Sequence, residues 1–352
     1  MDKKLFAVLV LILGAISSGV WLHNTSAASA VLNFGDISHY IQKEGDVSEP
    51  ALPQRIAFVG DVMLARNVEK VQKKYGNGYI FAALPVLSSS TLLVGNFEST
   101  IPKVHEPTPD MTFSFSTPTS SIASLSDYGF SHLSLANNHS YDKGSENFTH
   151  TQEVLLQNNL AVFGDQAVSA TTVTYAVLDD QTVALVGVYA VDGMPAMGTL
   201  GVAISEAQER SDFQIAYVHW GTEYELSHSS FQERLAHALI DLGIDAVIGH
   251  HPHVVQDIQQ YKGVPIFYSL GNFIFDQYFN ADVQEGLWVE LSFENDVPKY
   301  QLKPLTARGS YSQTRFMSAY DADRFLATLA KRSGEDLRGG ILKGVVGKRV
   351  AD

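Results

Sequence analysis

Short apolar runs, most of which stop at a polar cluster, constrain this chain more than any other feature. The runs cover residues 56–59, 91–94, 132–136, 183–188, 213–218, 244–248 and 264–268. Such runs are typical of strands buried on both faces of a sheet. Residues 146–158, behind a potential cap at Ser145, and residues 231–242 have helical patterns. Strands that alternate with helices predict an α/β layered domain.

Composition narrows the class of partner. The chain has 352 residues, of which 45% are hydrophobic and 18% are charged, which is ordinary for a globular protein. A net charge of -14 and a pI near 5.2 disfavour nucleic acid, because too few Lys and Arg side chains are present to neutralise phosphates. The same charge disfavours an acidic polymer unless the polymer meets local positive charge from a metal or an arginine.

The N-terminal segment predicts export. Asp2-Lys3-Lys4 precedes an apolar run over residues 5–22 and a small-residue stretch over 26–30. This is the order of a signal peptide, and the run is also close to the roughly 20 residues that span a bilayer, so a signal anchor is an equal alternative. Either alternative places the protein outside the cytoplasmic membrane, secreted or membrane-anchored. The lack of cysteine agrees with this and excludes thiolate ligands and thiol nucleophiles.

Four parts are predicted along the chain. They are the signal peptide or anchor (1–30), a polar linker with Gly and Pro (31–54), a folded domain (55–310), and a C-terminal helix and tail (311–352). Strands are predicted at 288–293 and 300–305, and a helix at 322–330.

Polar residues behind the predicted strands form a candidate metal site. Ligands of α/β sheets bind outside the carboxyl ends of the strands, where residues distant in sequence converge. The residues at those ends are Asp61, Asn96, Glu98, Asn138, His139, His219, His250, His251 and His253. Carboxylate, amide oxygen and imidazole together suit zinc, manganese or iron.

Taken singly, most of these residues have structural alternatives. The alternatives are a helix cap or turn for Asp61, a turn for Asn138, a hydrogen-bonded loop for His139 and a core histidine for His219. The cluster at 249–253 differs, because three histidines in four positions after a strand favour a metal or phosphate role. In an extended segment His251 and His253 would point toward one metal, with His250 facing away.

Six motifs stand in a fixed order along the chain. They are Gly60-Asp61-Val62-Met63-Leu64, Asn96-Phe97-Glu98, Ala136-Asn137-Asn138-His139-Ser140, His219-Trp220-Gly221-Thr222-Glu223-Tyr224, Gly249-His250-His251-Pro252-His253 and Tyr268-Ser269-Leu270-Gly271-Asn272-Phe273. In this order they resemble the CapA family of poly-γ-glutamate capsule proteins, a branch of the calcineurin-like metallophosphatase fold. The resemblance covers residues 55 to 280 and implies a four-layer αββα sandwich, completed by the segment from about residue 285.

The resemblance also implies roles for individual residues. The implied ligands of one or two divalent metal ions (Zn, Mn or Fe) are Asp61, Glu98 as the bridging carboxylate, Asn138, His219, His251 and His253. His139 is implied to assist the leaving group. Metallophosphatases usually carry a histidine where this chain has Met63, and commonly an aspartate where it has Glu98.

Hydrolysis is the chemistry that such a site predicts. Two neighbouring metals lower the pKa of water and polarise a phosphoryl or carbonyl oxygen, and His139 is placed to donate a proton to the leaving group. Arg66 and Glu223 are predicted to line the substrate cleft, with Arg66 as the local positive charge. A solvated arginine and an ordinary ion pair are the structural alternatives.

Two function classes follow from these expectations. The first is an exported metallohydrolase that acts on a γ-glutamyl amide or a phosphate ester of the cell envelope. The second is a non-catalytic factor for capsule polymer assembly, anchoring or export. The predicted partners are an anionic polymer such as poly-γ-glutamate or another envelope substrate, capsule-synthesis membrane proteins, and the membrane itself if the N-terminal segment is uncleaved.

Overall fold

A computed structural model describes residues 52–347 of the chain. Within this range the strands are β1 (Arg55–Val62), β2 (Thr91–Phe97), β3 (Phe130–Ser134), β4 (Ala161–Phe163), β5 (Val173–Val177), β6 (Thr182–Ala190), β7 (Phe213–Trp220), β8 (Ala246–His250), β9 (Ile258–Tyr261), β10 (Val264–Phe267), β11 (Asn272–Ile274), β12 (Glu285–Glu294), β13 (Val297–Thr306), β14 (Arg315–Phe316) and β15 (Val345–Gly347). Each predicted strand is confirmed with shifted ends. The predicted signal segment and most of the linker lie outside the described residues.

The helices of the same range lie between the strands. The α-helices are α1 (Arg66–Tyr75), α2 (Ala123–Tyr128), α3 (Ser145–Gln157), α4 (Met197–Gln208), α5 (Ser230–Asp241), α6 (Ala319–Arg332) and α7 (Arg338–Ile341), and short 3-10 helices cover Asn77–Phe81, Thr119–Ser121, Asp282–Gln284 and Glu335–Leu337. The expectation that Ser145 caps α3 is wrong. Ser145 is the first helical residue, and Gly144 precedes it with a φ of 83°, a left-handed conformation that glycine adopts at no cost. No helix in the described part of the chain is long and apolar enough to cross a membrane.

Two sheets form the centre of the domain. The first has the strand order β14-β13-β12-β1-β2-β3-β4, with β11 paired to β1 and β15 paired to β13. The second has the order β5-β6-β7-β8-β10-β9. Strands β1, β2, β3 and β4 are parallel, as are β6, β7 and β8, so their carboxyl ends lie at common edges.

Alternate side chains of β1 face different layers of the fold. Ile56 and Phe58 face an apolar layer that also contains Ile215 and Ile248 of the second sheet. Ala57 and Val59, on the opposite face of β1, pack instead with residues of α1, α2 and α3. Residues of α4 and α5 pack on the outer face of the second sheet. The predicted four-layer αββα sandwich is therefore confirmed.

The C-terminal segment adds more than the predicted helix and tail. Both β14 and β15 pair with β13 and so extend the first sheet. Leu326 and Leu329 of α6 and Ile341 of α7 join the apolar layer between the sheets. The polypeptide from 311 to 347 thus contributes to the same hydrophobic core as β1.

Close backbone contact positions the end of β1. A β-carbon at Gly60 would lie 1.8 Å from the carbonyl oxygen of Gly271, so only glycine fits there. The β1 and β2 register also shifts between Phe58 and Asp61. These two features bring Asp61 level with Asn96 on one side and with Asn272 on the other.

Candidate metal centre

Strand ends of both sheets meet at the candidate metal centre. Asp61 lies near the end of β1 beside Asn96 of β2, and His219 near the end of β7 lies level with His250 of β8. Asn96 joins the sheets, because its side-chain nitrogen lies 2.8 Å from Asp61 Oδ1 and 3.2 Å from His219 Nδ1. All four side chains are buried.

Asp61 is an ionised carboxylate inside the protein. Its Oδ1 lies 3.4 Å from His250 Nδ1, its Oδ2 lies 3.2 Å from His253 Nδ1, and the backbone N–H of His251 donates to Oδ2. Burial alone would raise the pKa of Asp61, but hydrogen bonds and charge from His250 and His253 outweigh burial and hold that pKa well below its usual value.

Glu98 follows β2, and its buried carboxylate lacks hydrogen-bond partners in the described part of the chain. Its side chain is fully buried, and neither carboxylate oxygen has a hydrogen-bond partner among residues 52–347. Burial raises the pKa of Glu98 well above its usual value, although the charge of His253 opposes the shift. The Nε2 atoms of His139 and His253 both lie 3.7 Å from Glu98 Oε1. A buried carboxylate without donors is costly unless a cation completes its environment.

The histidine cluster after β8 turns sharply. His251 and His253 have φ values of 94° and 58°, so the expected extended segment is wrong. Both side chains nevertheless reach one group of donor atoms with Glu98, because the turn brings them together. His250 contacts Asp61 and packs 4.1 Å from the ring of Tyr217, so it faces a candidate ligand.

The two histidines of that turn differ in charge. Burial lowers the pKa of His251 to about 4, and the positive charge of His253 adds to the effect. Burial also lowers the pKa of His253, but the carboxylates of Glu98 and Asp61 outweigh it and raise that pKa to about 9. His251 Nδ1 has no hydrogen-bond partner in the described part of the chain.

His219 lies between two amides. Its Nε2 is 2.7 Å from the side-chain oxygen of Asn138, and its Nδ1 faces Asn96. Burial lowers the pKa of His219 well below the ordinary value, with a further contribution from His251. The ring is therefore neutral, which is the state in which imidazole binds a metal.

Two donor groups overlap at this centre. One consists of Glu98, His251 and His253, and the other of Asp61, Glu98 and His219; in each group the donor atoms lie within 4.8 Å of one another. Carboxylate oxygens and imidazole nitrogens form a donor set that suits zinc, manganese or iron. The unpaired oxygens of Glu98 and the unpaired Nδ1 of His251 are consistent with such an ion. The residues present therefore fit a metal, and Glu98 belongs to both groups.

His139 is held beside the centre by an aspartate. Its Nδ1 donates to Asp142 Oδ2 at 2.8 Å, and its ring lies 4.1 Å from that of Phe115. Since Nδ1 is occupied by Asp142, Nε2 faces the donor groups and is free to exchange a proton.

Arg66 and Glu223 occupy different environments. Arg66 starts α1 with a φ of 51°, is 8% exposed, and pairs with the buried carboxylate of Asp276. The alternative of a solvated arginine is therefore wrong, and the charge of Arg66 is balanced within the protein. Glu223 is exposed, and its charge raises the pKa of Glu98 and of His253. A substrate contact through either residue remains a prediction.

Met63 does not replace the missing histidine ligand. Its side chain is buried in the core between the first sheet and its helices, and its sulfur accepts from the backbone N–H of Ala65 at 3.0 Å.

Three positioning residues were given no role by sequence reasoning. Asp142 orients His139, Asn272 accepts from His253 Nδ1 at 2.9 Å, and Asp276 pairs with Arg66. Asn272 stands in one of the six motifs, and Asp142 follows His139 by three residues, so both carried a local signal. Asp276 lies 210 residues after Arg66 and carried none.

Comparison with known proteins identifies relatives over most of the described domain. The family model of the bacterial capsule synthesis protein PGA_cap matches residues 55–277. The PGA biosynthesis protein CapA of Bacillus subtilis is 32% identical in an alignment of 267 positions that covers 71% of this chain and 70% of that protein. The capsule biosynthesis protein CapA of Bacillus anthracis is 30% identical in an alignment of 299 positions that covers 78% of this chain and 72% of that protein.

Several solved structures are also similar to this chain. A hypothetical protein from Thermus thermophilus matches 71% of this chain over 97% of its own length, at 18% identity and a TM-score of 0.46.

The family model and the two Bacillus relatives establish that the chain belongs to the CapA family of bacterial capsule synthesis proteins.

Proposed function

We propose that this protein is a metal-dependent hydrolase that acts on a γ-glutamyl amide or a phosphate ester of a cell-envelope polymer, outside the cytoplasmic membrane. The observation that carries the proposal is the pair of His139 and Asp142 beside the donor groups. A site that only holds a metal for structural reasons needs no oriented imidazole with a free nitrogen. A hydrolase does need one, to protonate the leaving group.

The residues that would hold one or two divalent metals are the sequence-predicted set. They are Asp61, Glu98, Asn138, His219, His251 and His253. When bound, zinc, manganese or iron supplies polarisation of a phosphoryl or carbonyl oxygen and activation of water near neutral pH. All of these residues except Asn138 are buried, and burial strengthens electrostatic interactions.

His139 would move the proton of the reaction. Asp142 fixes the ring through Nδ1 and stabilises the positive charge when Nε2 is protonated. Nε2 lies on the side of Glu98 and can deliver a proton to the departing oxygen or nitrogen of the substrate. Loss of His139 should therefore reduce turnover more than metal content.

Membership of the CapA family supports capsule polymer as the substrate class. The names of the two Bacillus relatives refer to PGA and capsule biosynthesis. A non-catalytic role in assembling or exporting the polymer is the alternative. That role would give the paired His139 and Asp142 side chains no function.

The test measures metal content and hydrolysis in the same preparations. Wild type, His139→Ala and His251→Ala are loaded with zinc, manganese or iron, analysed for bound metal, and assayed on a generic phosphodiester and on poly-γ-glutamate. We expect activity in wild type, loss of activity and of part of the bound metal in His251→Ala, and loss of activity alone in His139→Ala. Bound metal without turnover of either substrate would favour the assembly factor, and no binding of any metal would refute the proposal.

A further inference from the structure

A second site lies in a cavity of about 660 Å³ between the C-terminal helix and the first sheet. Its walls carry four arginines, Arg308, Arg315, Arg324 and Arg332. The protein as a whole has 24 Lys and Arg residues against 38 Asp and Glu, whereas this lining carries four arginines against three acidic residues. Cavities of this size are in the range that holds small ligands or a short polymer segment.

Three of these arginines form no ion pair among the described residues, although Asp257, Asp282 and Glu285 act on the charge of Arg332 from farther away. No carboxylate lies within 4.0 Å of Arg315, Arg324 or Arg332 among the described residues, whereas Arg308 lies 3.5 Å from Glu285. Arg315 donates to the backbone oxygen of Arg308 at 2.7 Å, which fixes its position without cancelling its charge. The Nε atom of Arg332 is buried without a hydrogen-bond partner within residues 52–347.

The helix presents its arginines along one line. Arg324, Thr328 and Arg332 all line the cavity and follow each other at intervals of four residues, which places them on one face of α6. The separation of eight positions between Arg324 and Arg332 corresponds to about 12 Å along the helix axis. Repeated cationic groups along a line match a ligand with repeated anionic groups.

The balance of charge in the cavity favours carboxylates. The four arginines face three acidic residues, Asp282, Glu285 and Asp321, so the lining has a net charge of about one positive unit. A densely charged phosphate chain would meet those three carboxylates, whereas a carboxylate on each repeat can pair with one guanidinium fork.

The cavity also adjoins segments that build the metal centre. Val255, which lines it, follows His253 by two residues, and Arg332 donates to the Val255 backbone oxygen. Asp282 and Glu285 flank Val283, whose carbonyl oxygen accepts from the side chain of Asn272. A polymer held in the cavity would thus run beside the loops that carry the candidate ligands.

We propose that the arginine-lined cavity binds a segment of a polycarboxylate chain. The inference rests on the proposed function only in taking a capsule polymer as the substrate. Binding is an equilibrium property that requires neither turnover nor bound metal, so the two proposals can fail separately.

The test is fluorescence anisotropy of a labelled γ-linked decaglutamate titrated with the full-length chain. We expect Arg308→Gln with Arg324→Gln to weaken binding at least about tenfold, since two charge-assisted contacts are lost. Arg324→Lys, which keeps the charge but not the fork, should give a smaller loss. Arg308 and Arg324 are exposed, so these changes leave the fold intact.

Arg210→Gln is the matched control. Arg210 is equally exposed but stacks on Tyr175 outside the cavity, and its replacement should change affinity less than about twofold. The inference is overturned if Arg210→Gln weakens binding as much as the cavity variants do, or if the cavity variants bind normally. It is also overturned if a polyphosphate of equal length displaces the decaglutamate at lower concentration.

Discussion

Replacement of Glu98 tests whether two metal ions share one carboxylate. Glu98 is common to both donor groups, whereas His219 and His251 each belong to one. We therefore expect wild type to bind two divalent ions, His219→Ala and His251→Ala to bind about one each, and Glu98→Gln to bind almost none. The change to glutamine keeps the shape of the side chain and removes its charge.

The size of the effect follows from linkage. An ion present at 100 times its dissociation constant stabilises the folded state by about 2.7 kcal/mol per site. A domain of this size responds by roughly 2 °C for each kcal/mol. Two sites should therefore raise the melting temperature of wild type by about 10 °C, one site by about 5 °C, and the Glu98→Gln protein should hardly respond.

The assay is a thermal melt of each variant with and without metal, paired with elemental analysis. Comparison within one variant removes the change that the substitution itself makes to stability. Glu290→Gln is the control, because Glu290 is a partly buried carboxylate that pairs with Lys303 away from the site. A Glu98→Gln protein with the full wild-type shift and two bound ions would refute the shared-ligand reasoning.

Three further predictions concern single residues. His139→Gln and Asp142→Asn should each lower kcat, the former by about 100-fold or more, with metal content unchanged by elemental analysis. The pKa of His253 is raised to about 9, so the metal-free protein should lose stability as the pH rises from 6.5 to 9 in urea melts, and His253→Gln should not. Gly60→Ala should cost more than about 3 kcal/mol in urea unfolding, because its β-carbon would overlap the Gly271 carbonyl; a near-native midpoint would contradict this.

The strand pattern predicted the centre of the fold better than its edges. Runs such as that of β7 carry enough buried apolar residues to mark a strand by themselves. The strands β11, β14 and β15 have only two or three residues, and they form because a neighbouring strand offers hydrogen bonds. Pairing of that kind is decided by tertiary contacts and leaves little trace in the local sequence.

Convergence of the site was predictable for a simple reason. Parallel strands end at one edge, so Asp61 and Glu98 had to lie near each other once β1 and β2 were assigned. His219 belongs to the second sheet, and it joins them because the two sheets pack face to face. The backbone at His251 and His253 was not predictable, because non-glycine residues with positive φ are uncommon and nothing local demands them here. The surrounding contacts, such as that of His253 with Asn272, hold this conformation.

Arg66 is a residue for which the fold adds to the argument from composition. An acidic protein that handles an anionic polymer needs local positive charge, and Arg66 stood close to Asp61 in sequence. In the fold Asp276 balances the charge of Arg66, and a substrate contact through Arg66 stays a prediction. Arginines that form no ion pair among the described residues include Arg315, Arg324 and Arg332, in a segment that contains none of the six motifs.

Positive charge is therefore supplied in two separate ways in this protein. At the centre of the sandwich, buried carboxylates such as Glu98 are stabilised by a nearby cation, which is either a metal ion or protonated His253. At the C-terminal cavity, fixed guanidinium groups supply charge that does not depend on metal or on ordinary pH, because arginine stays protonated. Metal loss should consequently abolish chemistry and leave polymer binding in place, which a structure with a single cationic site could not do.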